Sequence, residues 1–126
     1  MSTLSVGTIQ SNTTSPPVFN NSSGVEIGEL CRAWVNFNGT GVVAIRASFN
    51  VSSITDTNTG RYVVNLANAL PDANYAVAIS GNMTSGVDNT GLDSFQSSTT
   101  SAVNITMLNT AGAYTDYFQV AVSIFR

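Results

Sequence analysis

From Cys31 onward, apolar residues fall on every second position. Cys31, Ala33, Val35 and Phe37 alternate with Arg32, Trp34, Asn36 and Asn38. The same period of two returns at Tyr62, Val64 and Leu66, at Tyr75, Val77 and Ile79, at Val103, Ile105 and Met107, and most cleanly at Phe118, Val120, Val122 and Ile124. Shorter apolar pieces lie at Val42–Arg46 and from Phe49 through Ile54. Successive side chains of a strand point to opposite faces, so this pattern predicts half-buried strands. Asn38–Gly41, Asp56–Gly60, Pro71–Asn74 and Asn109–Ala113 are rich in Gly, Asn and Asp and punctuate the strands as turns. Val64–Ala69 is the one stretch with helical composition, but its β-branched neighbours and Pro71 favour a strand end. Six to eight short strands without an amphipathic helix predict an all-β antiparallel β-sandwich over residues 31–126.

Residues 1–30 read differently. Pro16-Pro17 and Asn20-Asn21-Ser22-Ser23-Gly24 separate isolated apolar residues, among them Val6, Ile9, Val18, Phe19 and Ile27. Such a segment builds no core of its own. It is expected to be an extended N-terminal arm, and those five side chains are candidate anchors to another protein. Residues 81–101 form the longest stretch without strand alternation and predict a long loop, with an added strand around Leu92–Gln96 as the alternative.

Composition narrows the function. Charged residues make up 9 %, and the chain has four Arg, no Lys and no His. Four scattered arginines make no phosphate-tracking patch, so a nucleic-acid partner is not expected. Without imidazole, the histidine-based triads and the common zinc sites are absent. The single Cys31 makes no intrachain disulfide and reads as a small buried hydrophobe. Sixteen Ser, fifteen Thr and fourteen Asn give the surface an amide and hydroxyl character. No run has the length of a spanning helix, and the first residues lack a basic segment followed by an apolar core. Synthesis without a cleaved leader and without membrane insertion is therefore expected.

The stretch Arg32-Ala-Trp-Val-Asn-Phe-Asn-Gly-Thr-Gly41, continued by Ile45-Arg-Ala-Ser-Phe-Asn-Val-Ser-Ser-Ile-Thr-Asp56, resembles a module of bacteriophage and prophage fibre proteins. Gly60-Arg-Tyr-Val-Val-Asn65 and Leu70-Pro-Asp-Ala-Asn-Tyr75 share the likeness, as does the lead-in from Gly7 to Gly28. The resemblance covers about residues 5–80. It implies a virion structural protein, a homotrimer with a part in attachment, such as a tail fibre or a small capsid decoration protein of a phage of aquatic bacteria. The arm would then dock on capsid or tail proteins.

Candidate chemistry is sparse. Asp56-Thr-Asn-Thr-Gly60 begins like a calcium loop, but the twelfth position is Ala67, so a hairpin turn is expected. Asp88 and Asp93 lie five apart in a polar segment, which suits sugar hydroxyls or calcium as well as an ordinary solvated loop. No pair of acidic residues is locally placed for glycoside hydrolysis. Trp34, opposite Val35 and Phe37, is expected to be buried in packing rather than to stack on a sugar. The expectation is a non-enzymatic attachment protein without cofactor or metal. Asp88, Asn89, Asp93, Phe95 and Gln96 are its candidate glycan-binding residues. A capsid cement protein that stabilises the shell without a receptor is the alternative.

Overall fold

A computed structural model describes residues 3–84 and 91–126. Ten strands occur among them: β1 (Phe19–Asn20), β2 (Glu26–Gly28), β3 (Cys31–Asn38), β4 (Ala44–Phe49), β5 (Val51–Asn58), β6 (Arg61–Leu66), β7 (Ala76–Asn82), β8 (Leu92–Ser98), β9 (Ala102–Leu108) and β10 (Gln119–Phe125). β1 and β2 form a hairpin in the arm. The other eight make two four-stranded antiparallel sheets, with order β4-β3-β10-β7 in the first and β5-β6-β9-β8 in the second. This is the expected β-sandwich.

The strands with the cleanest alternation occupy the centre of each sheet. Ala33, Val35 and Phe37 of β3 and Val120, Val122 and Ile124 of β10 face Tyr62, Val64 and Leu66 of β6 and Val103, Ile105 and Met107 of β9. Phe37 and Tyr62 meet edge to face with ring centres 5.2 Å apart. Every residue of this buried cluster lies between Ala33 and Ile124. β10 inserts between β3 and β7, so the first sheet closes only when distant parts of the chain have met.

Asn50 is where the chain leaves one sheet for the other. It adopts φ +54°, a left-handed conformation that Asn tolerates better than most residues. Its Nδ2 donates to the carbonyls of Arg32 (3.1 Å) and Asn68 (3.2 Å), and its Oδ1 accepts from the Asn68 backbone N–H at 2.8 Å. The stretch through Phe49-Asn-Val51 is thus two strands in different sheets.

The segment 81–101 is not one long loop. β7 runs on to Asn82, and β8 occupies Leu92–Ser98 as the edge of the second sheet, as in the alternative of an added strand. Alternation is faint there because an edge strand buries little. A bulge between Phe95 and Ser97 also shifts its register.

Candidate functional site

The outer face of the second sheet follows from the same alternation that builds the core. With Tyr62, Val64 and Leu66 inward, Arg61, Val63 and Asn65 point out. With Val103, Ile105 and Met107 inward, Asn104 and Thr106 take the outer side; Asn104 is half-buried, and Thr106 is buried beneath its neighbours with its hydroxyl donating to the Ser94 carbonyl at 3.4 Å. The register aligns these positions into rows. Thr55, Val63, Asn104 and Ser97 cross the sheet as one row, and Asn58, Arg61, Thr106 and Ser94 as the next.

Side-chain hydrogen bonds hold the rows in place. Asn65 Nδ2 donates to Ser53 Oγ at 3.1 Å and to Thr55 Oγ1 at 2.9 Å. Asn104 Nδ2 donates to Ser97 Oγ at 3.1 Å, and Thr57 Oγ1 to the Arg61 carbonyl at 2.9 Å. A shallow depression of about 80 Å³ lies among Thr57, Arg61, Gln96, Asn104 and Thr106. The Arg61 guanidinium rests 4.0 Å from the centre of the Tyr114 ring. The ion pair among the described residues joins Arg126 and Asp72, 2.7 Å apart, and leaves Arg61 out. Guanidinium, amide and hydroxyl groups on a fixed sheet are donors and acceptors matched to a polyhydroxylated ligand.

Of the glycan-binding residues expected from sequence, Gln96 reaches this depression. Phe95 is exposed on β8 opposite Ile105. Asp93 stands opposite Met107, where partial desolvation holds its carboxyl above the ordinary range. Asp88 and Asn89 lie outside the described residues. Arg61, Asn104 and Thr106 were missed as site residues. Their signal was present as the polar alternates of two core strands, which sequence reading assigns to solvent. Trp34, expected to be buried, is 39 % exposed within the chain. Cys31 is half-buried, its Sγ donating to the Ala33 carbonyl at 3.3 Å. The candidate anchors Val6, Ile9, Val18, Phe19 and Ile27 are all exposed and join no core.

Two of the five carboxylates in the sandwich, Asp116 and Asp72, have structural tasks. Asp116 Oδ1 accepts from the Gly60 N–H at 2.7 Å and from the Tyr62 hydroxyl at 2.8 Å. Burial, and then that hydrogen bond to Asp116, push the Tyr62 hydroxyl far above its usual value. Gly60 has φ +63°, and a Cβ there would lie 2.5 Å from the Met107 carbonyl. Asp72 receives two hydrogen bonds from Arg126, at 3.2 and 2.7 Å, which lower its carboxyl below the usual range. Among the described residues no group of three or more His, Cys, Asp or Glu side chains is placed to hold a metal ion. No helix there is long and apolar enough to cross a membrane.

No protein-family model and no curated protein sequence matches the chain. Among solved structures, the chain is similar to part of the phiAB6 tailspike, solved in complex with three-repeated oligosaccharides of Acinetobacter baumannii surface polysaccharide. The TM-score is 0.57 at 16 % sequence identity, and the match covers 97 % of this chain and 30 % of the tailspike chain. The chain thus spans about a third of that protein's length and shares with that portion a β-sandwich fold.

Proposed function

We propose that this protein is a structural component of a phage virion, a short homotrimeric fibre or decoration protein whose sandwich displays a face for a host-surface glycan. The observation that carries the reading is the ordered outer face of the second sheet, with Arg61, Asn104, Thr106 and Gln96 around one depression. Two further observations support it: the resemblance of residues 5–80 to phage fibre modules, and a fold in common with part of a tailspike captured with surface oligosaccharides. The division of labour places the sandwich of residues 31–126 as the head, and residues 1–30 as the arm through which Val6, Ile9 and their neighbours meet capsid or tail proteins. Three weak sites per trimer, and many trimers per particle, convert modest single-site affinity into durable adhesion. The proposed role is non-enzymatic: few carboxylates are present, and Asp116 and Asp72 are already engaged in holding the fold.

The test is to bind purified protein to immobilised bacterial surface polysaccharides and to label virions with an antibody against the head. Saturable binding without new reducing ends, together with label on the particle surface, is expected. Label on the shell without polysaccharide binding would give the role to a cement protein. Release of new reducing ends would make the protein a depolymerase and overturn the non-enzymatic assignment.

A further inference from the structure

The outer face of the first sheet has a different character. Register puts Phe49, Trp34, Ser123 and Ala78 in one row across it, and Ala47, Asn36, Ala121 and Ser80 in the next. Small side chains make a shallow floor beside two large rings, with Trp34 39 % and Phe49 55 % exposed. The β1–β2 hairpin has the complementary problem. Its strands are two and three residues long, every residue in them is exposed, and Phe19 and Ile27 present apolar side chains to solvent. A hairpin this short is not stable alone in water.

Charge adds one match between the two surfaces. Glu26 and Glu29 are the only charged residues of the first thirty. Of the arginines at the first sheet, Arg126 is held by Asp72 and already feels Glu29 and Glu26 of its own chain, and Arg46 is held by the Phe37 and Phe118 carbonyls. Arg32 on β3, an alternate position on the Trp34 side, makes no ion pair among the described residues and is the cation open to a second copy. Within one chain the hairpin does not cover the face. The Arg126 N–H reaches the Leu30 carbonyl at 3.5 Å, so the arm leaves at the end of the sheet, and both the hairpin and Trp34 stay open.

We propose that the β1–β2 hairpin of one copy seats on the Trp34–Phe49 face of a second copy, so that the arm is an intersubunit clasp as well as a lead-in. The inference rests on the homo-oligomer of the proposed function and names the surface that builds it. Burial of the two rings supplies the attraction, and a hairpin glutamate opposite Arg32 fixes the direction.

Trp34 is the sole tryptophan and reports directly on this contact. The experiment measures acrylamide quenching of Trp34 alongside mass by light scattering, for the full chain and for the variants Ile27→Asp and Phe19→Asp. Both substitutions fall on exposed side chains, and circular dichroism checks that the sandwich is retained. The expected result is an assembled wild type with Trp34 shielded, and severalfold stronger quenching in each variant. Co-expressing Ile27→Asp with Trp34→Phe should restore shielding, because the only tryptophan then sits on chains with a defective hairpin. An assembled wild type with open Trp34 would overturn the clasp and leave the oligomer standing. Shielding in a monomer, or no restoration in the mixed sample, would mean that each hairpin covers its own face. A monomer with open Trp34 would overturn both the clasp and the oligomer.

Discussion

The outer faces of the two sheets rest on one shared interior and differ in what their alternate positions carry. On the second sheet those positions are Thr55, Asn65, Asn104 and Thr106, tied to one another or to the backbone by hydrogen bonds around Arg61. On the first, Trp34, Phe49, Ala47, Ala78 and Ala121 predominate; Ser123, Ser80 and Asn36 stand among them, with one side-chain bond from Arg46 to Asn36 in place of a ladder. A polar ladder keeps its shape in water and loses little by exchanging water for sugar hydroxyls. A floor of alanine and aromatic rings gains from being covered and gains nothing from staying wet. The proposed glycan face and the proposed subunit face are therefore distinguished by chemistry rather than by shape.

The largest expected effect removes both faces at once. Gly60→Ala forces a Cβ to within 2.5 Å of the Met107 carbonyl and 2.7 Å of the Thr115 nitrogen, at a positive φ. A loss of about 3 kcal/mol in chemical denaturation is expected. Assembly and polysaccharide binding should fall together with it. If either survived an unfolded sandwich, the dependence of both faces on the interior would be wrong.

Tyr62→Phe is a milder version. It removes the hydroxyl that bonds Asp116 Oδ1, while the Gly60 N–H remains as that oxygen's donor. A cost of about 1–2 kcal/mol in urea unfolding, without change of oligomeric mass, is expected. An unchanged midpoint would mean that this end of the sandwich is held by backbone bonds alone, from the Gly39 N–H to the Tyr117 carbonyl at 2.9 Å and from the Met107 N–H to the Gly60 carbonyl at 2.8 Å.

The smallest effect concerns pH. With no His, stability should be flat between pH 6 and 8. Arg126 lowers the Asp72 carboxyl in the folded protein, so this pair contributes above the unfolded carboxylate value of about 3.9. That contribution is lost as pH falls through the lower folded value. Asp93 has the opposite sign: its raised carboxyl disfavours folding once ionised and relaxes in acid. Asp72→Asn should reduce the melting temperature slightly at pH 7 and not at pH 2. An equal shift at both would remove the ion pair from the account.

The contrast between the faces also shows what a sequence displays and what it hides. β3, β6, β9 and β10 were legible because each has one buried side, and a period of two follows from that. β8 shows in the sequence only as the alternative to a long loop, because its two sides are both largely exposed and its bulge at Phe95–Ser97 breaks the period. Asp116 and Tyr117 carry no sequence signal because they precede β10, and the partner Gly60 lies 56 residues away from Asp116, a pairing that no local pattern encodes. The site was half visible. Gln96 was chosen for its chemistry, whereas Arg61 and Asn104 looked like ordinary solvent-facing alternates until the register placed them in adjoining rows.

The central claim, that the two faces have separate tasks, is tested most directly by one binding isotherm. Immobilised host surface polysaccharide is titrated with wild-type protein and with the double variant Arg61→Ala/Asn104→Ala, the oligomeric mass being measured in the same samples. The account predicts a loss of at least tenfold in apparent affinity, about 1.4 kcal/mol, with unchanged mass. Unchanged affinity, or a loss of affinity that tracks a loss of assembly, would contradict it.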